Sequence, residues 1–192
     1  MTGEQTGDDA ISKLLPLRPT IDTIISYLGP TSLNGYSPVY IEFYRLLIQH
    51  CRAFPKPPCF IILSTISASA PEDSFSLSAY LIVSLIKVAG ADVYREVIAR
   101  AAIWPEEAVR LKWTVFRVAH LNDGPMVAKG GRARYVGKGG WTISTSREDI
   151  GAWVAKEAEE MKGVDKIPAI FGGAKVWTKA MCVRQEKDRG KE

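Results

Sequence analysis

The chain has 192 residues, 46% hydrophobic and 24% charged, with a formal net charge of +4 at pH 7. That length fits one domain, and the composition excludes disorder over most of it. The charge is too mild to indicate nucleic acid without a clustered basic face.

Cys51, Cys59 and Cys182 match neither a disulfide framework nor a zinc-ligand spacing, so a reducing compartment is expected. The start, MTGEQTGDD, is polar and acidic and does not read as a signal peptide. The longest apolar stretch, Leu77 to Ala91, is interrupted by Ser78, Ser84 and Lys87 and is too short to span a bilayer. A soluble, cytoplasmic protein with no nucleic-acid or membrane partner is the expectation.

In chain order, Asp8 and Asp9 are placed to cap a short helix carrying Ile11, Leu14 and Leu15, ended by Pro16 and Pro19. Asp22 to Leu28 is a β-rich run closed by Gly29-Pro30. Tyr40, Phe43, Tyr44, Leu47 and Ile48 repeat at amphipathic-helix spacing, and Arg52 to Pro58 reads as a proline-rich loop. Phe60-Ile-Ile-Leu63 predicts a strand buried on both faces, followed by Ser64-Thr65 and a loop to Ser76. A helical region runs from about Leu77 to Arg100, with a break or bend at Gly90. Pro105, with Glu106 and Glu107, suits the first turn of another helix. Trp113 to Arg117 predicts a third strand, Gly124 to Gly140 a glycine-rich basic loop, and Trp141 to Ile143 a short strand. Ser146 is a cap for a helix from Arg147 to about Met161, with Asp149 and Arg147 as capping and packing residues. Ala169 to Phe171 reads as a last edge strand, and residues 184–192 as a charged tail, leaving one domain over residues 1–183. Strands separated by helical crossovers imply a parallel sheet with helices on both faces.

Three segments in this order resemble the fourth to sixth strands of NmrA-like atypical short-chain dehydrogenases. They are Asp22-Thr-Ile-Ile-Ser-Tyr-Leu-Gly-Pro30, Ile61-Ile-Leu-Ser-Thr65, and Trp113-Thr-Val-Phe-Arg117 with His120-Leu121 and Ile143-Ser-Thr-Ser-Arg147-Glu-Asp149. Thr2 to Asp9 resembles the turn after the family's third strand. The resemblance implies a Rossmann-like α/β domain and an NAD(P)H cofactor. No Gly-x-Gly-x-x-Gly follows a first strand; Gly130-Gly131 and Gly137-x-Gly139-Gly140 fall late, in the basic loop. The expected fold therefore lacks the first βαβ region, reading as an N-terminally truncated member that binds dinucleotide weakly or not at all. The family's Tyr-x-x-x-Lys pair is also missing: Tyr94 is followed at that spacing by Ile98, Tyr80 by Ser84, and Lys87 lies seven residues from each tyrosine.

Ligands of open α/β sheets bind at the carboxyl ends of the strands. That rule and the resemblance select Tyr94, His120, Ser64 and Thr65 as catalytic candidates. They select Gly29, Pro30, Ser64, Arg117 and Leu121 as cofactor contacts. Arg117 could hold an anion or pair with Asp123. Lys129, Arg132, Arg134 and Lys138 could close over an acidic ligand. The resulting expectation is an NAD(P)-dependent oxidoreductase acting on a small oxygenated, aromatic or polyketide-like metabolite in specialised metabolism. The alternatives are a cofactor-independent isomerase or dehydratase, and a non-catalytic ligand-binding or partner protein. An unpaired strand at Asp22 further suggests a homodimer through the exposed sheet edge.

Overall fold

The computed structural model describes residues 21–30, 37–126 and 130–172. The proposed helix after Asp8 and Asp9, the Thr2–Asp9 turn, Lys129, Cys182 and the charged tail lie outside the described residues. The apolar run at Phe60 forms strand β2 (Cys59–Thr65), flanked by β1 (Thr23–Ser26) and β3 (Trp113–Val118). All three are parallel, with Ile25 opposite Ile61 and Ser64 opposite Arg117. Strand β7 (Ala169–Phe171) adds to β3 in parallel, and β5 (Arg132–Arg134) adds to β7 antiparallel. The sheet order is β1-β2-β3-β7-β5, while β4 (His120–Asn122) and β6 (Ser144–Ser146) make a separate parallel pair.

Helices cover both faces because alternate strand residues point to opposite sides. Helices α1 (Val39–Arg52) and α3 (Ala91–Glu107) bring Tyr44, Leu47 and Trp104 onto Phe60, Ile62 and Val115. Helix α4 (Arg147–Glu160) brings Ile150, Trp153 and Val154 onto Ile61, Phe116 and Ile170 on the other face. Helix α2 (Leu77–Ala89) meets α3 at Gly90, where the axis turns by 116°. The predicted break is therefore there, and it is sharp. This is a Rossmann-like α/β sheet with helices on both faces. No single helix among the described residues is long and apolar enough to cross a membrane.

Several expectations are corrected. Pro105 opens no new helix; it lies in the last turn of α3, which buried Ile103 and Trp104 hold against the core. The Gly124–Gly140 segment is not wholly loop, since β5 forms within it. β7 is consequently an interior strand rather than an edge, because Ala133 pairs with Ile170. The short strand falls at Ser144–Ser146 instead of Trp141–Ile143, with its register set by pairing to His120–Asn122. Ser64 and Thr65 belong to β2 itself and not to a turn after it. At the opposite end of the sheet β1 is an outer strand, and Ile25, Tyr27 and Leu28 are exposed there.

Candidate functional site

Three strands deliver their carboxyl ends to one side of the sheet: β1 ends toward Gly29-Pro30, β2 at Ser64-Thr65, and β3 runs into Ala119 and β4. Ser64 is almost fully buried and its Oγ has no hydrogen-bond partner among the described residues. A buried hydroxyl without a partner costs free energy of about 1–3 kcal/mol unless something completes it. Thr65 differs from its neighbour. Its Oγ1 accepts from the Ser67 amide at 3.2 Å, which is a local turn bond. His120 is exposed, with Nδ1 3.4 Å from Ser144 Oγ, and Leu121 beside it is half-buried. Asn122 holds Ser144 from the other side, its Nδ2 donating to Ser144 Oγ at 2.6 Å.

Tyr94 lies near the start of α3. Two residue-level contacts place that end of the helix. Arg100 donates from Nη1 to the Leu28 carbonyl, and a methyl group added at Gly29 would sit 2.6 Å from the same nitrogen. Tyr94 is six residues before Arg100, about 9 Å along the axis at helical rise, and stands toward the strand ends. Two helical turns would separate Lys87 from Tyr94 in a straight helix. The Gly90 bend instead brings the Lys87 ammonium 5.7 Å from the centroid of the Tyr94 ring, a cation–π distance.

Arg117 has a different place from the one expected. It is fully buried and is spent on the protein: Nη1 and Nη2 donate to the two Asp73 oxygens at 2.6 and 2.7 Å, Nη1 also to Ala68 O, and Nε to Ile167 O. Its ion-pair partner is Asp73 rather than Asp123, which instead meets exposed Arg147 at 2.5 Å. Asp73 also accepts from the Ala70 and Val136 amides. Burial by itself would raise the Asp73 carboxyl, but the Arg117 hydrogen bonds and these two amides outweigh it and hold the group below the ordinary carboxylate range. The pair thus fastens the loop after β2, the approach to β7 and the segment at Val136 to the last turns of β3. It shapes the ligand edge without pointing at a ligand.

The basic segment does not converge on this edge. Arg132 and Arg134 line a cleft of about 500 Å³ between β5 and α4, whereas Lys138 lines a groove beside Phe75 and Trp141. Sequence reasoning missed a buried polar group beneath Gly29. Tyr44 Oη and Ser26 Oγ are 2.7 Å apart, Arg100 reaches Leu28 O, and Glu96 accepts from the Ser37 amide at 3.4 Å. Glu96 and Arg100 are both buried, and their four-residue spacing on the core face of α3, with Val97, Ala101 and Trp104, was the available signal. Burial lowers the Arg100 guanidinium from its usual value, partly offset by Tyr44, Glu96 and Tyr40.

The fit to a dinucleotide is uneven. Polar side chains suited to the reactive end of a cofactor and a small substrate lie at or near the strand ends: buried Ser64, exposed His120 and half-buried Tyr94, whereas the close approach that Gly29 allows is taken by the Arg100 guanidinium rather than left for a ligand. Pyrophosphate needs free amides at a helix start. Among the described residues the Ser76 hydroxyl caps α2 by accepting from Ala79 and Ser146 caps α4 by accepting from Asp149, the starts of α1 and α3 carry no side-chain cap, and no glycine-rich strand-to-helix turn occurs. No grouping of three or more His, Cys, Asp or Glu fit to hold a metal is found among the described residues either.

No protein-family model matches the chain, and no curated protein matches it. Solved structures do. The oxidoreductase ylbE from Lactococcus lactis superposes with a TM-score of 0.59 at 17% identity, over 97% of this chain and 74% of that one. ChuY, an anaerobillin reductase from Escherichia coli O157:H7, gives 0.60 at 14% identity over 86% and 72%. A Rossmann-fold NAD(P)-binding family protein from Shigella flexneri gives 0.50 at 14% over 87% and 70%. At such identities the likeness establishes the fold alone, a Rossmann-like α/β sheet with helices on both faces.

Proposed function

We propose that the strand-end surface around Ser64 is the substrate and nicotinamide end of an NAD(P)H-dependent reductase site for a small oxygenated metabolite. The observation that carries this reading is the Ser64 hydroxyl: buried, without a partner among the described residues, and at the carboxyl end of the interior parallel strand β2. The fold similarity to an oxidoreductase and to an anaerobillin reductase supports it. A nicotinamide would supply the hydride. The chain's own part is to orient the substrate and move a proton. Ser64 Oγ donates a hydrogen bond to a substrate carbonyl, and His120 or Tyr94 delivers the proton to the oxygen that becomes a hydroxyl. Lys87 stands over the Tyr94 ring, bringing together the same two residue types as the Tyr-x-x-x-Lys pair of the family resembled. The aromatic or polyketide-like carbonyl substrate of specialised metabolism is carried over from the family resembled.

A second reading, proton transfer or dehydration without a cofactor through His120, Tyr94, Ser64 and Thr65, is favoured by the lack of a glycine-rich strand-to-helix turn among the described residues. Saturation-transfer NMR separates the two. With millimolar NADPH, the expected result is saturation concentrated on the nicotinamide protons and lost in Ser64→Val. The affinity is expected to be weak, with a Kd above about 100 μM, or roughly −5.5 kcal/mol. Ser64→Ala should leave the melting temperature unchanged or raise it, because it removes a polar atom that has no partner. Saturation of the adenine protons alone, or none at all, would turn the assignment to the cofactor-free reading.

A further inference from the structure

Helix α2 is covered less than a core helix should be. Its sequence, LSAYLIVSLIKVA, is apolar on nearly every side, yet Ala79 is its only buried residue. Leu77, Tyr80, Leu81, Leu85 and Val88, together with Phe75 just before the helix, are between 58 and 84% exposed. The helical members repeat at i, i+3, i+4, i+8 and i+11, so they share one face. Ala79 and half-buried Val83 occupy the opposite face and pack toward Ile66 and Ala169. The helix carries a single charge, Lys87, and that ammonium is turned onto the Tyr94 ring. The exposed face is therefore a stripe without charge.

Its size points to a protein partner. If a free side chain of this kind presents roughly 150–200 Å², six at these exposures offer on the order of 600–800 Å². A typical monomer's largest apolar patch is about 300–600 Å², and one side of a standard protein interface is about 800 Å². The two ends of the stripe are also unlike in shape. The amino-terminal end adjoins a groove of about 390 Å³ lined by Phe75, Ser78, Gly137, Trp141 and Ile143, whereas the carboxyl-terminal end projects Val88, the most exposed of the set. A two-fold axis pairs the ends of antiparallel helices reciprocally, so a projection at one end and a recess at the other complement each other twice. A lipid surface would call for a basic face beside the stripe; the helix's one lysine is turned onto Tyr94, and Lys138 in the adjoining groove supplies a single charge rather than such a face.

We propose that the α2 face is a self-association surface, docking the same face of a second copy of this chain about a two-fold axis near Leu81 and Ser84. Val88 of each copy seats in the Phe75–Trp141 groove of the other. This surface is distinct from the outer edge of β1, where a homodimer was expected from the sequence. Light scattering and sedimentation velocity across low to high micromolar concentration should give a monomer–dimer equilibrium. Leu81→Glu/Leu85→Glu should abolish the dimer while leaving the circular dichroism spectrum and cooperative melt intact, since both positions are exposed. Mild oxidation should cross-link Ser84→Cys to itself, and Val88→Cys should not cross-link to itself because the two-fold axis separates those ends. The proposal fails if the chain stays monomeric throughout, or if the dimer survives Leu81→Glu/Leu85→Glu. It fails equally if Ile25→Glu breaks the dimer instead, or if α2 drives binding to phosphatidylcholine vesicles and not to itself.

Discussion

Replacing Asp73 with alanine should damage this fold more than any change at an exposed charge. The substitution leaves the fully buried Arg117 without its carboxylate and frees the Ala70 and Val136 amides, four hydrogen bonds in all. Removing one partner of a buried pair costs about 3–5 kcal/mol. The Asp73 side chain is 18% exposed, so the lower end, about 3 kcal/mol, applies. A chain of this size loses about 2–4 °C per kcal/mol, giving a fall in Tm of about 6–12 °C. The pH dependence supplies a second check. Because the folded Asp73 carboxyl lies below its unfolded value near 3.9, its contribution is present above about pH 4 and is lost as pH falls through the lowered folded value. The stability of Asp73→Ala should therefore vary less below pH 4 than that of the parent. Urea unfolding followed by tryptophan fluorescence at several pH values reads both effects. Arg117→Met combined with Asp73→Ala should cost much less than the two separate losses added together. A loss within about 1 kcal/mol for Asp73→Ala, or strict additivity in the double variant, would refute the clamp.

Two further outcomes follow from local geometry. Ser146→Ala should cost about 1 kcal/mol, because Ser146 Oγ accepts from the Asp149 amide at 3.0 Å and donates to Asp149 Oδ2 at 2.9 Å; Ser146→Asp, which cannot donate and sets a second carboxylate against buried Asp149, should not recover the melting temperature. The Cys51 thiol, pushed up to about 11 by burial, should resist labelling at pH 8 until urea opens the fold, while half-buried Cys59 reacts earlier; peptide mapping of a timed labelling series reads the order.

Much of the framework could be read one segment at a time. Phe60-Ile-Ile-Leu63 is a short continuous apolar run bounded by the Arg52–Pro58 segment and Ser64-Thr65, as a strand buried on both faces requires, and the Tyr40–Ile48 repeat produces the helix that covers it. Ser146 and Asp149 announced their helix through capping chemistry that involves neighbours three residues apart. The strand-end location of Ser64, His120 and Gly29 followed from strand order alone. The role of Arg117 did not, since its partner Asp73 is 44 residues away and Asp123, six residues on, looked equally suitable. Glu96 and Arg100 were hidden in the same way, because a charge on a helical face looks solvated until the packing of that face is known.

Periodicity, capping and turn chemistry act over a few residues, so the sequence by itself determined most of the long helices, the strands at Thr23, Phe60 and Trp113, and that these strands run parallel. Tertiary structure alone decided how those segments were used. It paired Arg132–Arg134 with Ala169–Phe171 and so turned an expected edge strand into an interior one. At Gly90 it folded α2 back through 116°, carrying Lys87 to Tyr94 and leaving the apolar face of α2 uncovered. Whether an apolar stripe becomes core or surface depends on what else is left to pack against it. That is a competition among distant segments for burial, and no local pattern records its result.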